Sequence, residues 1–159
     1  MEHPRVYDGT GSAPYTTDVA VADGRVVAIG DLSDRDAHER VSCEGLALAP
    51  GFIDVHSHTD ELWLANPRCE GKIVQGVTTE IGGNCGTSVA PLYGTALERK
   101  RRDARVYGVE VQWTSFDAFF TLVEREGVAL NIASLVGLGT TRSCVAGPEA
   151  RPLTPAELE

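Results

Sequence analysis

Small and β-branched apolar residues flank Asp23-Gly24 over residues 18–30, "DVAVADGRVVAIG". That pattern predicts a β-hairpin with a type I′ turn at the Asp-Gly pair. A polar excursion fills residues 31–40. Residues 41–51, "VSCEGLALAPG", then give two short strands around Glu44-Gly45, closed by Pro50-Gly51. Residues 1–50 therefore read as a small β-rich unit, without a repeat or a low-complexity tract.

The pattern changes after Pro50. "FIDVHSH" at 52–58 has the composition of a strand. Residues 66–76, "NPRCEGKIVQG", give a short helix with Pro67 near its start and Gly76 at its end. "VTTEI" at 77–81 is a β-branched strand, followed by a glycine-rich loop at 82–88, "GGNCGTS". Between Leu92 and Trp113 the chain reads as polar and helical. Residues 114–127, "TSFDAFFTLVEREG", form an amphipathic helix with Phe116, Phe119, Phe120 and Val123 on one face. Thr114 or Ser115 caps it and Gly127 stops it. Residues 128–138, "VALNIASLVGL", are nearly all apolar, as expected of a strand buried on both faces. Buried strands alternating with helices predict a parallel α/β architecture over residues 51–159. At the end, Thr154, Pro155 and Glu157 make a capping box that opens a helix of about one turn. Isolated helices need ~12–15 residues, so the chain is expected to be cut off relative to a complete domain.

Composition narrows the function. Hydrophobic content of 42% with 23% charged residues is that of a globular chain. A net charge of -9 argues against nucleic acid, which requires a basic surface. The one basic run, "ERKRRDAR" at 98–105, reads as a solvated helix face. No signal peptide and no membrane span are visible. Cys43, Cys69, Cys85 and Cys144 form no CxxC pair, which suggests reduced thiols and a cytoplasmic location. "DGTGS" at 8–12 lacks the Gly-Lys-Ser/Thr of a phosphate loop. Nothing in the sequence bears on oligomeric state.

Two features carry candidate chemistry. His56 and His58 sit at i and i+2 of the predicted strand, on one face, with Cα atoms ~6.5–7 Å apart. They fit a pair of metal ligands, although alone they fit a polar strand end better. Asp54 shares their face and could orient a ligand. Cys85 follows the next strand, and parallel neighbours end at the same sheet edge, so it belongs near His58. Thiolate and imidazole both suit zinc, although a free cysteine is also an ordinary small apolar residue. Cys43, Cys69 and Cys144 have no such placement.

Taken together, "TDVAVADGRVVAIG", "APGFIDVHSHTD", "GVTTEIGGNCG" and "LVGLGTTR" resemble the amidohydrolase superfamily, and within it the D-aminoacylase (N-acyl-D-amino-acid deacylase) branch. The resemblance implies a TIM-type (β/α)8 barrel with a small β-sandwich built from both chain ends. It makes His56, His58 and Cys85 ligands of one or two Zn²⁺ ions. It also implies a small-molecule N-acyl amino acid as substrate, hydrolysed to a carboxylic acid and a D-amino acid.

The match is incomplete. A barrel takes ~250 residues, and 159 − 50 = 109 follow Pro50. The expected fold is thus about the first three barrel strands, preceded over residues 1–50 by part of the sandwich. The family's later histidine ligands and its general-base aspartate would lie beyond the C-terminus, leaving these residues inactive alone. Many relatives carry histidine where this chain has Leu138, which is read as packing. Two other readings stay open: a related amidohydrolase acting on a cyclic amide, and a non-catalytic remnant.

Overall fold

The computed structural model describes residues 1–158. It divides into two compact units, Met1–Pro50 and Gly51–Glu159.

The first unit contains β1 (Arg5–Val6), β2 (Tyr15–Thr16), β3 (Asp18–Ala22), β4 (Arg25–Gly30) and β5 (Ala47–Leu48). β3 and β4 form the expected antiparallel hairpin. Asp23 and Gly24 have φ of 50° and 71°, the consecutive positive angles that a type I′ turn requires. β1 lies between β2 (antiparallel) and β5 (parallel). Of the two strands expected around Glu44-Gly45, only β5 forms. Ser42 contributes a single bridge to Glu2. The carboxylate of buried Asp18 accepts the backbone N–H groups of His3 and Leu32, and these donors hold it below the usual carboxylate range.

The second unit runs β6 (Phe52–Asp54), α1 (Leu62–Ala65), α2 (Glu70–Ile73), β7 (Val77–Gly82), α3 (Gly94–Arg105), α4 (Phe116–Glu126), β8 (Asn131–Ser134), α5 (Leu138–Ala146) and α6 (Pro155–Leu158). The sheet order is β6-β7-β8, with both pairs parallel. This is the mixed α/β pattern expected from the sequence.

Three elements are shorter than the apolar runs suggested. β6 ends at Asp54, so both histidines lie past the strand proper. The helix predicted from residue 66 is confined to α2, because Cys69 before it adopts a left-handed φ of 48°. β8 spans four residues and is not buried on both faces. Leu135 and Val136 after it are 52% and 59% exposed, and Phe52 and Ile53 on β6 are equally open. Burying such strands on both sides needs a second covering layer, and the described residues do not supply one.

The core of this unit centres on Phe119, which sits between Trp63 and Trp113 at centroid distances of 6.1 and 5.0 Å. All three are essentially inaccessible to solvent. Both indole N–H groups are satisfied, Trp63 by Glu80 and Trp113 by the Val89 carbonyl, as buried tryptophans require. The four positions read as one face of α4 do pack inward: Phe119 and Val123 are buried, and Phe116 and Phe120 lie against the same core.

Ser115 is the α4 cap, accepting the Ala118 N–H at 3.2 Å, and Gly127 ends the helix with a φ of 76°. Ser115→Ala should therefore lower stability by about 1 kcal/mol, seen as a shifted urea midpoint with an unchanged slope. At α6, Glu157 accepts both the N–H and the hydroxyl of Thr154 and pairs with Arg151 through both oxygens. Arg151 and the Thr154 N–H together depress its carboxyl to about 2. The final residue of that predicted helix, Glu159, lies outside the described residues. No helix is long and apolar enough to cross a membrane among the described residues.

Candidate metal centre

The parallel register aligns Asp54 with Glu80 and Gly82 with Ser134. Continuing it past β6 brings residues 56–58 alongside the loop that follows β7. That loop turns through positive φ at Gly83 (78°), Cys85 (53°) and Gly86 (80°). The turn thus passes through the cysteine itself, not only the neighbouring glycines. A non-glycine residue costs energy in this region, and such strain concentrates at functional sites.

The loop is seated on the segment after β8. A Cβ at Gly83 would stand 2.2 Å from the Leu135 carbonyl oxygen, and one at Gly137 would stand 2.6 Å from the Gly86 oxygen. Thr140 N–H donates to Gly86 O at 3.0 Å, and the Gly137 N–H to Ser88 Oγ at 3.0 Å. Backbone therefore packs directly on backbone here, which only glycine permits.

On this frame His56, His58 and Cys85 converge. One ligand atom from each lies within 4.8 Å of the others, and all three residues are exposed. His56 Nε2 is 3.3 Å from Cys85 Sγ. The two imidazole rings are 5.5 Å apart between centroids. Donor atoms that share a tetrahedral zinc lie roughly 3.3–3.8 Å apart, given bonds of ~2.0–2.3 Å. One pair is at 3.3 Å and none of the three is farther than 4.8 Å from another, close to that spacing, so two imidazoles and a thiol fit a zinc-type ion. Among the described residues this is the only cluster of three such side chains.

Asp54 serves differently from its expected role. It accepts the backbone N–H of His56 at 3.2 Å and pairs with Lys72 at 2.6 Å, so it fixes the main chain rather than a ring. Leu138, expected to pack, is 82% exposed. It is the first residue of α5, where no covering element reaches it among the described residues.

Glu80 and Lys72 carry a network that the sequence reading missed. Glu80 is fully buried, and its carboxylate accepts from the Ser57 hydroxyl, Thr59 Oγ1, Trp63 Nε1 and Lys72 Nζ. Burial pushes the carboxyl up, but these four donors outweigh it and hold it below the ordinary glutamate range. The signal was a lone acid inside the β-branched run "VTTEI". Asp60 is also buried and runs the other way: desolvation raises it, only partly offset by the Gly83 N–H and Lys100.

The lowered Glu80 value links stability to pH. The unfolded carboxylate binds protons more readily than the folded one. Its contribution is complete above the ordinary glutamate value and fades as pH falls through the lower, folded one. Asp60 opposes this. Glu80→Gln should flatten the acid limb of a plot of unfolding midpoint against pH, and limbs of equal slope in both proteins would contradict that origin.

Comparison with known proteins places the chain. A model of the amidohydrolase family matches residues 39–148. The chain belongs to the amidohydrolase family. A D-aminoacylase of Alcaligenes xylosoxydans xylosoxydans is 38% identical over 151 residues, covering 95% of this chain and 31% of that protein. A D-aminoacylase solved for the functional role of its binuclear metal centre superposes with a TM-score of 0.85 at 33% identity, over 99% of this chain and 33% of its own. The N-acyl-D-glutamate deacylase of Bordetella bronchiseptica, complexed with zinc and a phosphonate inhibitor, gives 0.82 at 35% identity, over 98% and 32%. These similarities lie within the D-aminoacylase branch of the amidohydrolases. The chain spans about a third of the length of these relatives.

Proposed function

We propose that this chain carries part of the active site of a zinc-dependent hydrolase that cleaves the amide bond of N-acyl-D-amino acids. The observation that carries this reading is the convergence of His56, His58 and Cys85 within 4.8 Å at the end of two adjacent parallel strands. The zinc-bound deacylase and the D-aminoacylase with a binuclear metal centre, both similar over nearly the whole chain, support it. In this reading residues 1–50 are part of a β-sandwich, and residues 51–159 are the first three strands of a (β/α)8 barrel. Active sites of such barrels lie at the carboxyl ends of the strands, which is where the three side chains lie.

His56, His58 and Cys85 would hold one ion or contribute to a pair. Bound there, zinc would supply Lewis acidity toward the amide carbonyl and lower the pKa of a water. Asp54, by accepting the His56 N–H, fixes the main chain where the histidines leave β6. The general base and the remaining ligands come from outside these 159 residues. The four cysteines are free, which suits a reducing compartment, and the cytoplasm is the setting we assign.

The test is an amine-release assay on N-acetyl-D- and N-acetyl-L-amino acids with Zn²⁺. A longer chain that supplies the missing strands should turn over the D-enantiomer, and residues 1–159 alone should not. Turnover by residues 1–159, or preference for the L-enantiomer in the longer chain, would overturn the proposal.

A further inference from the structure

Resting on the metal reading above, we infer that Ser57, Glu80 and Asn84 are positioning residues that set the spacing between the histidine pair and Cys85. Ser57 is the residue between the two histidines. Side chains alternate along extended backbone, and the burial follows: His56 and His58 are exposed while Ser57 is 6% exposed. Every polar group of Ser57 is bound to the segment that leads to the cysteine. Its N–H donates to Ile81 O at 3.3 Å. Its carbonyl accepts from Asn84 Nδ2 at 3.2 Å, and its hydroxyl donates to Glu80.

Asn84 is the immediate neighbour of Cys85 and only 9% exposed. The same amide nitrogen donates to Ile81 O at 2.8 Å, and the Asn84 carbonyl accepts both the N–H and the hydroxyl of Thr87. It therefore holds the cysteine turn and the histidine segment to one point. Glu80 holds the other side, with Thr59 on the far flank of His58 also bound to its carboxylate. A buried carboxylate is a costly way to fill a core position. Here all of its side-chain partners come from the segment that starts between the two histidines and runs to Lys72. Fixing the middle residue of His-Ser-His fixes where both rings leave the chain.

Co²⁺ titration of the intact chain, followed by Zn²⁺ competition, tests this. The thiolate-to-cobalt absorption reports Cys85 binding independently of turnover. Ser57→Ala and Asn84→Ala should each weaken Zn²⁺ affinity by about 10–100-fold and change the cobalt spectrum, with far-UV circular dichroism unchanged. Ser57→Thr, which keeps the hydroxyl, should restore both. Variants that fold and bind within twofold of the parent, with the parental cobalt spectrum, would overturn the positioning role while leaving the metal site standing. A parent chain without the thiolate band would overturn the metal reading and this inference together.

Discussion

Cys85→Ser should cost the chain on the order of 10²–10³ in Zn²⁺ affinity. Structural zinc sites are worth roughly 10–16 kcal/mol, or about 2.5–4 kcal/mol for each of four ligands, which corresponds to about 10²–10³ in affinity. The thiol is expected to dominate. Thiolate is a strong zinc ligand, and Cys85 lies 3.3 Å from His56 Nε2 on a turn held at positive φ. His56→Ala should cost less, toward the lower end of that range. Cys43→Ser is the control, because Cys43 lies in the first unit and its thiol meets only the Val41 carbonyl. Isothermal titration with zinc distinguishes the cases. Equal affinities for Cys85→Ser and Cys43→Ser would remove Cys85 from the site.

The second large effect is on stability. Glu80→Ala should destabilise the second unit by about 1–3 kcal/mol, the cost of leaving a buried donor without its charged acceptor. The substitution orphans the indole N–H of Trp63, leaves the Ser57 and Thr59 hydroxyls with only each other, and leaves Lys72 with Asp54 alone. Glu80→Gln, which keeps a carbonyl acceptor for the same donors, should lose less. Chemical denaturation checks both. A Glu80→Ala midpoint unchanged from the parent would show that the network contributes nothing to the fold.

The sequence carried the hairpin, α4 and the parallel β6-β7-β8 order because each has a period or a cap that local chemistry enforces. Asp23-Gly24, Ser115 and Gly127 behave as their side chains dictate. The juxtaposition of His56, His58 and Cys85 was also readable, since parallel neighbours end at one edge of a sheet. Strand length was not readable from apolarity. "FIDVHSH" and "VALNIASLVGL" are apolar beyond the point where their hydrogen-bonded ladders end. Leu138 misled for the same reason: an apolar residue reads as packed, yet burial depends on what lies against it, and Leu138 stands 82% exposed. Glu80 and Asn84 were missed because a buried polar residue is explained only by its partners, and Ser57, Trp63 and Lys72 lie 8–27 residues from them in these contacts. The acid in "VTTEI" and the asparagine in "GGNCG" were visible, but their contacts were not.

Whether His56, His58 and Cys85 together hold zinc is read out by X-ray absorption at the zinc edge on the loaded chain. The expected first shell is one sulfur scatterer at ~2.3 Å together with imidazole nitrogens at ~2.0–2.1 Å, with the sulfur shell lost in Cys85→Ser. A first shell of nitrogen and oxygen alone in the parent chain would contradict it.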